Sequence, residues 1–95
     1  MDVWCAIRTY PKHATELGNP IPSEPVVFLK PSSSIVDFSV IDSCGGDVHH
    51  EIELVLKIGP DMNPTHMTLG LDLTKRSIQD HLKEKSLPWA KAKAF

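Results

Sequence analysis

Two cysteines, Cys5 and Cys44, are too few for a disulfide framework or a zinc knuckle, and they read as small buried thiols of a reducing compartment. No apolar run approaches the ~20 residues of a membrane span. The opening Met1-Asp2-Val3-Trp4 lacks the basic-then-apolar order of a signal peptide. Both absences point to a soluble cytoplasmic setting, with the mitochondrial matrix open in a eukaryote, and to no membrane partner. Positive charge is not in excess: 10 Lys and Arg face 12 Asp and Glu, and no basic stripe runs along the chain, which argues against nucleic acid. Repeats are absent, and Ser32–Ser34 is the one low-complexity stretch. What remains is ordinary globular composition, 41% hydrophobic and 23% charged, in a 95-residue chain. A chain of this size hides about two-thirds of its unfolded surface and makes one small domain or part of one. Eight prolines and five glycines predict short elements and many turns.

The apolar, β-branched runs Val3–Ile7 and Val26–Leu29 predict strands. Pro11 at the head and Gly18 just past the end predict a short helix over Pro11–Leu17. Asn19–Pro25 is a proline-rich connector, Ile35–Ile41 an extended piece, and Gly45-Gly46-Asp47 a turn. Val48–Ile58 carries the clearest pattern: Ile52, Leu54, Leu56 and Ile58 share one face, and Glu51, Glu53, Val55 and Lys57 share the other. After a break at Pro60–Pro64, Met67–Leu73 predicts a strand and Thr74–Lys85 a helix with Ile78 and Leu82 on its apolar side. Lysines near that helix's C-terminus suit its dipole. Ser86-Leu87-Pro88 ends it, and Trp89–Phe95 carries no turn signal. The pattern is α+β and mainly β, with two short helices.

Three groups of residues could carry chemistry. In His49-His50-Glu51-Ile52-Glu53, residues two apart on a strand point the same way, so Glu51 and Glu53 can lean toward one hard cation such as Mg²⁺ or Mn²⁺. A solvated strand face explains the same spacing, and carboxylates are mostly exposed. Asp72 stands at a strand's end, with Arg76 and Gln79 on one face of the following helix, where the three could bracket an anion. The plainer explanation there is an Asp helix cap above a polar face. His13 and Glu16 share a face of the early helix, and a carboxylate that orients an imidazole suits a base for water, although a solvated face accounts for the pair as well. His66 and His81 suggest no role.

Taken in order, Arg8-Thr9-Tyr10-Pro11-Lys12-His13-Ala14-Thr15-Glu16-Leu17-Gly18, Glu24–Ser32, Val48–Leu54 and Leu71–Phe95 resemble the fumarylacetoacetate hydrolase family, in particular its acylpyruvase and oxaloacetate decarboxylase branch. The resemblance implies a partial catalytic domain over residues 1–95, part of that family's mixed β-sandwich roll. It implies that Glu51, Glu53 and Asp72 ligate Mg²⁺ or Mn²⁺ and that Lys93 sits beside metal and substrate. Arg76 and Gln79 would contact the substrate's oxygens, and Lys30 would help shape the pocket. His13 and Glu16, on a lid, would activate water. The substrate implied is a small 2-oxo acid or diketo acid, cleaved at the carbon–carbon bond beside its ketone. Relatives are usually homodimers.

The sequence departs from the family where Ile7 and Thr9 replace a glycine and an asparagine, and where Pro11 and Lys12 replace a small residue and an acid. It departs again at Ser86, which stands where a glycine ends the helix. It is also shorter between Gly59 and Asp72 by roughly ten residues, about one average helix. The family's later strands and glycine-rich threonine loop are absent, so sheet edges and apolar faces are expected to be uncovered. Three readings follow: a metal-dependent C–C hydrolase or decarboxylase, a remnant that only binds metal or oxo acid, and a structural partner that pairs through an open sheet edge.

Overall fold

The computed structural model describes residues 1–7, 18, 23–37 and 40–95. The chain divides into two compact units, Met1–Phe38 and Ser39–Phe95. The helix expected over Pro11–Leu17, and with it His13 and Glu16, lies outside the described residues. Among the described residues no helix is long and apolar enough to cross a membrane.

The first unit contains the two expected short strands, β1 (Val3–Ala6) and β2 (Val27–Lys30), which pair antiparallel with Val3 opposite Lys30 and Ala6 opposite Val27. A further bond from Ile7 N–H to the Val26 carbonyl, 2.9 Å, extends the ladder. Pro31 cannot donate to a strand ladder, and the chain turns there into a single 3₁₀ turn, Ser32–Ser34. Asp2 Oδ1 accepts from the Ser32 N–H at 3.2 Å and ties that turn to the start of β1. Residues 35–37 and 40–41 belong to no strand.

The second unit is a long hairpin with two helices. β3 (Val48–Ile58) has the bounds the alternation predicts. β4 (Pro64–Lys75) is longer than expected at both ends and takes in Thr74, which the helical pattern had claimed. The strands run antiparallel with Glu51 opposite Asp72, Glu53 opposite Gly70 and His49 opposite Thr74. Gly59 opens the connecting turn. A Cβ there would stand 2.7 Å from Thr65 Cγ2, so only glycine fits without a shift. The Asn63 side-chain amide, then its backbone N–H, donates to Asp61 and holds that carboxyl below its ordinary range.

Cys44 corrects an expectation: it is exposed, and only Cys5 is partly buried. Cys44 and Gly45 both have positive φ, 52° and 71°, inside a turn closed by Gly46 N–H to the Ser43 carbonyl. A turn of that kind projects its central side chains outward. Lys75 Nζ donates to the Cys44 carbonyl at 3.2 Å and fastens this loop to the end of β4.

Helix α1 (Arg76–Glu84) follows β4 directly, with Leu82 buried and His81 and Lys83 in its last turn. It ends in a paired-bond C-cap: Leu87 N–H reaches the Leu82 carbonyl and Ser86 N–H the Lys83 carbonyl. The motif puts Ser86 at φ 54°, a left-handed conformation that costs any residue with a Cβ. Ser86→Gly is therefore expected to raise stability by about 0.5–1 kcal/mol, the backbone strain relieved less the extra unfolded-state freedom of glycine. A urea midpoint that falls would overturn this account of the cap. One more helical turn, α2 (Ala90–Lys93), lies in the stretch that carried no signal, and it buries Ala92 and Lys93 against β4 and α1.

Both helices fold back over the face of the hairpin that carries Glu51, Glu53, Asp72 and Thr74. Asp72 is 8% exposed and Thr74 fully buried, whereas Ile52, Leu54, Leu56, Met67, Leu69 and Leu71 on the opposite face are exposed. Among the described residues the polar side of this hairpin is thus the covered one, and the apolar side is exposed.

Candidate functional site

Register builds the site. Glu51 and Asp72 face each other across the hairpin, and Glu53 lies two residues along β3 on the same side. One carboxylate oxygen from each of Glu51, Glu53 and Asp72 falls within 4.8 Å of the other two. Gly70, opposite Glu53, leaves the fourth position of this patch without a side chain. A Cβ at Gly70 would approach Val55 Cγ2 to 2.9 Å.

Two cations close over the carboxylates. Arg76, the first residue of α1, donates from Nη2 to Glu51 Oε1 at 2.8 Å. Lys93, from α2, is 4% exposed and donates from Nζ to Glu51 Oε2 at 3.2 Å, Asp72 Oδ2 at 2.8 Å and Thr74 Oγ1 at 2.7 Å. Against three carboxylates these two cations leave the cluster with a formal residue of one negative charge. Beside Arg76 a shallow cleft is lined by Asp47, Val48, His49 and His50, and His49 Nε2 stands 3.6 Å from Asp47 Oδ2.

The donor set fits a hard divalent ion. All three groups offer carboxylate oxygen, and oxygens on opposite sides of an Mg²⁺- or Mn²⁺-sized ion, bonded at about 2.1 Å, stand about 4.2 Å apart. The observed spread needs little contraction to reach that figure.

The structure brings together five of the residues singled out in the sequence: Glu51, Glu53, Asp72, Arg76 and Lys93. Asp72 is not a helix cap; it lies within β4, and Lys75 stands at the head of α1. Gln79 is buried on α1, 6% exposed. Lys30 ends β2 in the first unit and is half-buried. Thr74 is the member of this cluster that the sequence pattern does not single out. It had a signal, because the alternation Gly70, Asp72, Thr74 puts its hydroxyl on the carboxylate face.

The family described as Fumarylacetoacetate (FAA) hydrolase C-terminal matches residues 2–95, and the chain belongs to that family. It is 39% identical to oxaloacetate tautomerase YcgM of Escherichia coli over 98% of this chain and 48% of the relative. A mitochondrial oxaloacetate decarboxylase of Dictyostelium discoideum is 41% identical, over 93% of this chain and 47% of its own. Among solved structures, fumarylpyruvate hydrolase of Pseudomonas aeruginosa, in complex with Mn²⁺ and pyruvate, superposes with a TM-score of 0.84 at 32% identity, covering all of this chain and 48% of that one. The chain therefore has part of the fumarylacetoacetate hydrolase fold and spans about half the length of the relatives it matches.

Proposed function

We propose that these residues form the metal-carrying part of a divalent-metal-dependent enzyme acting on small 2-oxo or diketo acids, by acylpyruvate hydrolysis or oxaloacetate decarboxylation. The observation that carries the reading is the meeting of three carboxylate oxygens with a buried lysine at one point of the hairpin. Glu51, Glu53 and Asp72 would hold the ion, Mg²⁺ or Mn²⁺; the Mn²⁺ of the Pseudomonas relative supports that assignment. The ion supplies Lewis acidity toward the oxygens of a 2-oxo acid.

The protein's own groups do the rest. Lys93 places a fixed positive charge where the ketone oxygen gains negative charge, and a preorganised donor in a water-poor site acts strongly there. Arg76 holds Glu51 in place, and its guanidinium would also face the substrate's oxygens, as the resemblance implies. By the family resemblance, Gln79 and Lys30 would each take a further substrate contact. His13, oriented by Glu16, would generate the hydroxide that an acylpyruvate requires. Decarboxylation of oxaloacetate needs the enolate oxyanion stabilised but no such hydroxide. The mitochondrial Dictyostelium relative leaves cytoplasm and matrix equally suitable as settings.

The test is turnover of oxaloacetate and of an acylpyruvate before and after a chelator. Loss of turnover on chelation, with recovery on adding Mn²⁺ or Mg²⁺, is expected. Turnover indifferent to the chelator would sink the reading.

A further inference from the structure

We propose that Thr74 is the positioning residue for Lys93, holding the ammonium over the carboxylates through a bond that a metal ion does not contest. The inference rests on the metal-site reading above. A lysine ammonium has three N–H donors. Here they meet Thr74 Oγ1 at 2.7 Å, Asp72 Oδ2 at 2.8 Å and Glu51 Oε2 at 3.2 Å. Two of these acceptors belong to the carboxylates assigned to the metal, so a divalent cation competes with the ammonium for their charge. The hydroxyl of Thr74 is neutral and outside that set. It is the acceptor that stays committed to Lys93 when the carboxylates turn to a metal.

Placement supports this role. Thr74 is fully buried, on the same face of β4 as Asp72 and two residues beyond it. Burial of a hydroxyl is unfavourable unless it is bonded, and Lys93 provides the bond. The side chain is β-branched, so its χ1 is stiff and its oxygen is a fixed post rather than a swinging one. Valine has the same shape without the oxygen, and serine has the oxygen without the methyl, which makes the role separable from packing.

The experiment uses protein with ¹⁵N-labelled lysine. The slowly exchanging ammonium signal of Lys93 is assigned by its disappearance in Lys93→Met. In protein loaded with diamagnetic Mg²⁺, Thr74→Val is expected to lose the protected signal and to lower kcat roughly 10- to 100-fold, the equivalent of a hydrogen bond to a charged group, with KM and Mn²⁺ affinity within about threefold. Thr74→Ser is expected to restore both signal and kcat. A Thr74→Val protein that keeps the protected signal, or that turns over at the wild-type rate, overturns the proposal. Should Thr74→Val not fold, the wild-type signal decides: a protected Lys93 ammonium supports the anchor, and a freely exchanging one overturns it. A wild-type protein that neither binds Mn²⁺ nor turns over an oxo acid would defeat the proposed function instead, while the ammonium signal would still report on Thr74.

Discussion

Lys93→Met is expected to destabilise the metal-free protein by about 3–5 kcal/mol, the usual result of removing one partner from a buried ion pair. Lys93 and Asp72 are 4% and 8% exposed, so neither charge has water to fall back on. With the ammonium gone, Glu51, Glu53 and Asp72 face one another with Arg76 paired to Glu51, and the formal charge of these groups goes from minus one to minus two. Methionine fills much the same volume, so the loss is electrostatic rather than a cavity. For a domain of this size the change corresponds to a fall of more than about 10 °C in melting temperature. Saturating Mn²⁺ should recover much of it, because the ion returns positive charge to the same oxygens and binds only the folded state. A variant that melts within about 1 kcal/mol of wild type without metal would show that Lys93 is not the counter-ion of this cluster.

Asp72→Asn is expected to weaken Mn²⁺ binding about 100-fold or more in calorimetric titration. Loss of an outer partner of a metal ligand already costs 10- to 100-fold, and Asp72 is a proposed ligand itself. Asparagine keeps the shape and an oxygen for Lys93, so the fold should survive while the charge is lost. The two substitutions act on the metal in opposite senses. Lys93→Met removes a competing cation and should tighten Mn²⁺, whereas Asp72→Asn removes an attracting anion and should loosen it. Equal Mn²⁺ affinity in wild type and Asp72→Asn would remove Asp72 from the ligand set.

The hairpin shows how far local pattern reaches. Alternation from Val48 to Ile58, broken only at His50 and Val55, marks β3 and puts Glu51 and Glu53 on one side, because a strand's period of two needs nothing but its own residues. The family resemblance marks Ser86 as a glycine position, and the structure supplies the reason, a φ of 54°. Thr74 was misread because a polar β-branched residue just ahead of a helical pattern suits either element, and only pairing with His49 decides for the strand. The turn Ala90–Lys93 escaped notice because four residues without a side-chain cap leave almost no periodic signal; the family resemblance, not the pattern, pointed to Lys93. Cys44 was misplaced because exposure follows from a turn's geometry, not from the residue type.

Sequence by itself therefore determined the strands, their two faces, and the carboxylates that share one of them. It could not determine which face is covered, since an amphipathic strand ordinarily turns its apolar side inward, and here the opposite side is buried. Tertiary structure decided that by turning the chain back after Lys75, which brings Lys93 onto Asp72 from 21 residues away and onto Glu51 from 42. Ion pairing across such separations depends on where the chain returns in space, and no local periodicity records it.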